Sequence, residues 1–132
     1  MKNTLSIAAL LGMLSIILGA FGAHALKSQL TADMLAVFET GVRYQFYHTL
    51  ALIVVTILYQ LSENKKYILA TRMFYAGILL FSGSLYALSL SSIGGSPIRL
   101  LGAITPIGGV CFILGWLFVF LAARSSNFKQ KN

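Results

Sequence analysis

This 132-residue chain has little charge: only 10% of its residues are charged, and only three are acidic. A soluble domain carries about 25%. Acids are too few for a paired-carboxylate hydrolase site, since Asp33, Glu39 and Glu63 are widely spaced. The single cysteine, Cys111, rules out an intrachain disulfide and any CxxC or Cys/His zinc spacing. It reads as a small apolar filler inside an apolar run. Two prolines leave long stretches without a helix breaker. No phosphate loop and no nucleophile elbow occurs. The net charge is +7, yet the ten basic residues are scattered at the ends of apolar runs with no aromatic–basic stripe. They read as topology-setting flanks and not as a nucleic-acid face.

What remains is apolar. Hydrophobic residues make up 58% of the chain, and the mean hydropathy is +0.83. One short domain this apolar belongs in a membrane. Four runs stand out, with spans at about 5–26, 42–61, 67–93 and 100–123 of residues 1–132. Each is near the 20 or so residues that cross a hydrocarbon core about 30 Å thick. No alternating ten-residue pattern suggests a barrel. The second run is extended backwards by a polar-faced stretch from Thr31, a plausible N-cap with Asp33 in the first turn. Short connections, "SENKK" (62–66) and "GGSP" (94–97), favour antiparallel neighbours. The expected fold is all-α: an integral-membrane four-helix up-down bundle. Pro106 either kinks the fourth helix or starts it anew behind a Thr105 cap.

The "AHA" at 23–25 follows Lys2 and an apolar stretch, as in a signal peptide. That stretch is about twenty residues, longer than the 7–15 of a signal core, so no cleavage is expected. For orientation, Lys2, Lys65, Lys66, Arg72, Arg124, Lys129 and Lys131 fall on the side of the termini. Lys27, Arg43 and Arg99 fall opposite. Seven against three places both termini in the cytoplasm.

In lipid, helices associate through close packing of small residues. Gly12, Ser15, Gly19 and Gly22 form such a stripe in the first span, and Gly108 and Gly115 in the fourth. Ser82, Gly83 and Ser84 sit mid-way along the third. Packing within one bundle is the preferred reading over an oligomer interface.

The most informative stretch is "FETGVRYQFYHTLA" (38–51). On a helix, Glu39, Thr40, Arg43, Tyr44, Tyr47 and His48 share one half of the wheel, with Phe38, Val42, Phe46 and Thr49 opposite and Gln45 outside the polar arc. Glu39 and Arg43 are spaced i,i+4 and can pair. His24 lies at the same end of the first span, and "GAHAL" (22–26) faintly echoes "SLYAL" (84–88), which sets Tyr86 level with His24. The reading is a shared polar pocket of His24, Glu39, Arg43, Tyr44, His48 and Tyr86. Such a pocket fixes helix register, or holds an ion, proton or lipid headgroup, or ligates a haem or metal through the two histidines. No third strong ligand beyond Glu39 is evident, so neither metal nor cofactor is expected, and no catalytic set is found.

"LGAFGAHALK", "FETGVRYQFYHTLAL", "LFSGSLYALSL" and "TPIGG" followed by "GW" make the chain resemble the YgdD/YwdK-like family of small bacterial membrane proteins, a domain-of-unknown-function family. The resemblance covers nearly the whole chain. It implies four spans and a bacterial cytoplasmic (inner) membrane location, and carries no catalytic role. The motif positions include Gly41, Gln45 and Gly109. The expected function is a non-enzymatic structural, assembly or interaction protein of the lipid bilayer, its partner a second copy or another membrane protein. Transport or ion, proton or lipid sensing through the polar pocket is the alternative, and redox chemistry comes last.

Overall fold

The computed structural model describes residues 1 and 3–126. Lys2, Lys129 and Lys131 of the orientation count lie outside the described residues. Helix α1 (Thr4–Phe21) runs on through a π-helical turn, Gly22–Leu26. Helix α2 is Ala32–Ser62. The third span is α3 (Lys66–Gly77), a π-helical segment Ile78–Ser82, and α4 (Gly83–Ser91). Helix α5 is Leu100–Ser125.

Local chemistry explains the ends. Thr31 is extended and its hydroxyl accepts from Met34 N at 3.3 Å, so α2 starts in the polar segment before the apolar run. Its 31 residues measure roughly 46 Å at 1.5 Å per residue, longer than the hydrocarbon core. Gly94 and Gly95, with φ of 95° and 88°, make the reversal before α5, a conformation that side chains resist.

Pro106 lies inside α5. A fresh start at Pro106 is therefore corrected. Hydrogen bonds Leu101 N→Ile98 O and Gly102 N→Arg99 O begin the helix a turn and a half earlier. Thr105 does not cap; its hydroxyl meets Ser84 Oγ at 2.8 Å and Leu101 O at 3.5 Å.

Helix α2 and the third span form the central pair, with α1 packed on α2 and α5 on the third span. Helices α1 and α2 are antiparallel. Gly22 faces Phe38, Gly19 faces Val42 and Gly12 faces Thr49. Ser15 is buried beside them and returns its hydroxyl to Leu11 O. On the other side, Gly77 faces the Phe112 ring, Gly115 the Phe74 ring, and Gly108 the backbone of Phe81. The glycine stripes thus face inward. A main core gathers Ala8, Leu52, Val55, Tyr67, Phe74 and Phe112, and a smaller one Leu26, Leu30 and Phe38.

The outward faces are large and apolar: Ile16 is 67% exposed and Leu100 75%. In α1 and α5 only 17% of the apolar window is buried within the chain. A surface like that needs hydrocarbon around it. The four long helices are membrane spans.

Both described ends and the 62–66 connection share one face. Thr71 Oγ1 reaches the Met1 sulfur at 3.8 Å. Asn64 Oδ1 accepts from Lys66 N at 3.0 Å and starts α3, while Asn64 Nδ2 donates to Ala122 O, Ser125 Oγ and Ser126 Oγ at the end of α5. One side chain thus serves an orphan donor at one helix start and an orphan carbonyl at another helix end.

Candidate functional site

The buried face of α2 runs through Gly41, Gln45, His48, Thr49, Leu52 and Thr56. Two threonines on it return their hydroxyls to the preceding turn, Thr49 to Gln45 O and Thr56 to Leu52 O. Gln45, 4% exposed, has no such local option and reaches outward in both directions. Its Nε2 donates to Leu11 O of α1 at 3.1 Å, and its Oε1 accepts from the Tyr86 hydroxyl of α4 at 3.0 Å. Gln45 is the polar tie between three helices. Gly41, one turn away, leaves room for the Tyr86 ring: a Cβ there would stand 2.8 Å from Tyr86 Cε1. Tyr86 also packs at 5.0 Å on Phe38.

His48 belongs to a second group. Its Nδ1 lies 2.8 Å from Tyr44 O, and the Trp116 indole N–H donates to its Nε2 at 3.3 Å. A carbonyl only accepts and an indole only donates, so the ring is the neutral Nδ1–H tautomer. The imidazole stacks on Phe112 at 3.5 Å and 9°. Tyr44 lies beside this pair, 6.1 Å from the imidazole and 6.2 Å from Phe112, and is 4.6 Å from Phe81. These rings line a lateral groove of about 500 Å³ between α2, the third span and α5, open toward lipid. Trp116, 51% exposed, forms part of its wall. Nδ1 carries the proton and the Nε2 lone pair accepts from Trp116, so in this arrangement His48 offers no free lone pair to a haem or a metal. Among the described residues no three His, Cys, Asp or Glu side chains gather as ligands.

The six-residue pocket is therefore corrected: it divides. Tyr44 and His48 share the aromatic groove. Tyr86 joins Gln45 instead. His24 lies exposed in the π-helical turn after α1, and among the described residues no side-chain bond ties it to the others. Glu39 and Arg43 are exposed on the outside of α2. Among the described residues they form no ion pair, and Arg43 Nε donates to the Glu39 backbone carbonyl at 3.4 Å. The physical cause is which sides of α2 are covered. Helix α1 covers Val42 and Thr49, and the third span, joined by α5 at His48, covers Gly41 and His48. Gln45 falls between both, and the Glu39–Arg43–Tyr47 edge is left out. Gln45 carried a readable signal, the Gly41–Gln45–Thr49 spacing of small and polar residues, which lies outside the charged arc.

Comparisons with known proteins find relatives named as membrane proteins. The family model described as "Protein of unknown function (DUF423)" matches residues 18–109. The chain is 44% identical over 124 residues to the UPF0382 membrane protein YwdK of Bacillus subtilis (strain 168), covering 93% of this chain and 97% of that protein. It is 43% identical over 133 residues to a UPF0382 membrane protein of Haemophilus influenzae, covering 100% and 99%. It is 37% identical over 116 residues to the UPF0382 inner membrane protein YgdD of Escherichia coli (strain K12), covering 88% and 85%. No solved structure matches.

Proposed function

The chain belongs to the DUF423 family of membrane proteins, and on that premise we propose that it is a non-enzymatic structural or assembly protein of the bacterial cytoplasmic membrane. One observation carries the reading: the buried polar side chains of α2, Gln45, His48, Thr49 and Thr56, are spent on neighbouring side chains and on backbone carbonyls. Gln45 ties α1 to α4 and His48 is bonded at both nitrogens. Catalysis would need a nucleophile, acid or base with a free lone pair or proton facing a cavity, and neither Gln45 nor His48 offers one. A second copy or another membrane protein is the partner class this role requires.

The test is a panel of variants scored for thermal stability in detergent and for rescue of a deletion strain. With a structural role, rescue falls in step with stability across Gln45→Leu, Asn64→Ala and Gly108→Ala. A His48→Gln variant of normal abundance and stability that loses rescue overturns it. The groove beside His48 favours a second reading, a hydrophobic-ligand carrier or sensor. Loss of rescue by a stable Trp116→Phe would point there.

Orientation with both termini in the cytoplasm is part of the same proposal. Lys65, Lys66 and Arg124 lie at the face that holds both described ends, and Lys66 Nζ donates to Ser125 Oγ at 2.9 Å there. A C-terminal reporter fusion should be active only in its cytoplasmic form; external activity reverses the assignment.

A further inference from the structure

Arginine at the centre of a bilayer is costly, so an exposed arginine on a spanning helix needs a counter-charge or an interfacial depth. Arg43 has the depth. From Ser62, where α2 ends, back to Arg43 is roughly 28 Å at 1.5 Å per residue, close to the full hydrocarbon thickness. The guanidinium therefore stands at the phosphate level of the leaflet opposite the termini.

It lacks the counter-charge. Among the described residues its one hydrogen bond runs from Nε to a backbone carbonyl, and the Glu39 carboxylate has no partner. Two adjoining clefts lie between α1 and α2; both charges line the first, and Arg43 lines both. The first, about 300 Å³, is lined by Gly19, Phe38, Glu39, Val42 and Arg43. The second, about 230 Å³, lies one turn deeper between Ser15, Ile16, Val42, Arg43, Phe46 and Tyr47. The deeper cleft is walled by apolar side chains and offers an acyl chain a slot. Gly19 opens the upper one.

We propose that this α1–α2 cleft is a phospholipid site selective for a phosphoethanolamine headgroup. The phosphate sits on Arg43, whose guanidinium presents a planar fork of N–H donors to phosphate oxygens. One helical turn outward, about 6 Å along the axis, the Glu39 carboxylate accepts from the primary ammonium. The two-carbon link between phosphate and ammonium is suited to a gap of that order. The charge order along the helix, cation inner and anion outer, complements the headgroup, whose phosphate lies inner and ammonium outer. Phosphatidylcholine has no N–H to offer Glu39. Phosphatidylglycerol has no ammonium, and its one negative charge would sit beside the Glu39 carboxylate.

The full-length purified protein, held in micelles with equal amounts of phosphatidylethanolamine, phosphatidylglycerol and phosphatidylcholine, is examined by native mass spectrometry. The expected result is one retained phosphatidylethanolamine per chain, favoured about tenfold over the other two, or ~1.4 kcal/mol. Glu39→Gln should abolish that preference while lipid is still retained. Arg43→Gln should lower retention of all three, and Arg43→Lys should restore part of it. Equal retention of phosphatidylglycerol or phosphatidylcholine by the native chain overturns the site, as does an unchanged profile in Arg43→Gln. Were Arg43→Gln to misfold, Glu39→Gln decides alone: an unaltered preference overturns the proposal.

Discussion

Gly108→Ala is expected to destabilise the protein by about 3 kcal/mol, the upper part of the range for forcing extra volume into a packed interior. A Cβ at this position would fall on the backbone N and Cα of Phe81, not on a side chain that can rotate away. Relief requires α5 to move off the third span, and the rest of that interface would move with it. Gly77 faces the Phe112 ring and Gly115 the Phe74 ring from the same crossing. The neighbouring Gly109 supplies the control. Its Cβ would meet the Phe81 ring at 3.8 Å, an ordinary contact. Gly109→Ala should be neutral or stabilising by up to about 1 kcal/mol, the helix-propensity gain. Thermal unfolding in mild detergent, followed by circular dichroism and by the fluorescence of the single tryptophan, Trp116, compares the two. Equal melting temperatures would remove Gly108 from the list of fixed contact points.

Gln45→Leu has the next largest expected effect, about 2 kcal/mol. It removes two bonds at once, to Leu11 O and from the Tyr86 hydroxyl. The Leu11 carbonyl keeps the Ser15 hydroxyl at 2.9 Å. The Tyr86 hydroxyl keeps nothing, and stranding a polar group of that kind costs about 1–3 kcal/mol. Within membranes each such bond averages about 0.6 kcal/mol and reaches about 1.7, which sets the scale for two. Tyr86→Phe alone should cost less. Adding it to Gln45→Leu should cost almost nothing further, because the stranded group goes with it. A double-mutant cycle should therefore give a coupling of about 1 kcal/mol. Simple additivity of the two substitutions would mean that the hydroxyl and the amide do not meet.

The sequence made the membrane class and the helical fold legible for a simple reason. The apolar runs of the first and fourth spans are long enough to cross a bilayer, and lipid permits only helices or closed barrels there. The Thr31 cap was equally legible, because capping is chemistry between residues three apart. The polar site was less so. A helical wheel says that Glu39, Arg43 and Tyr47 share an edge of α2; it does not say whether that edge meets a helix or lipid. The wheel therefore grouped Glu39 with His48, which the bundle separates, and set aside Gln45, which the bundle surrounds.

Two further features had no signature along the chain. The π-helical turns at Gly22–Leu26 and Ile78–Ser82 carry no proline, and nothing in their composition marks them. The second one brings Phe81 backbone against Gly108 and places Tyr86 over Gly41. Pro106 left a kink and a fresh start both open, because the fixed φ of proline suits the first helical position as well as a helix interior. Its place inside α5 followed from hydrogen bonds made upstream, at Ile98 and Arg99.

By itself, then, the sequence determined the solvent: four apolar helices, short turns and small-residue stripes can satisfy their backbone bonds and bury their surface only in a bilayer. Tertiary structure decided which sides of α2 are covered, and so which polar groups are spent inside the bundle and which are left for lipid. That choice depends on how neighbouring helices are rotated about their axes. Contacts between residues far apart in the chain, such as Leu11–Gln45–Tyr86 and His48–Trp116, set that rotation.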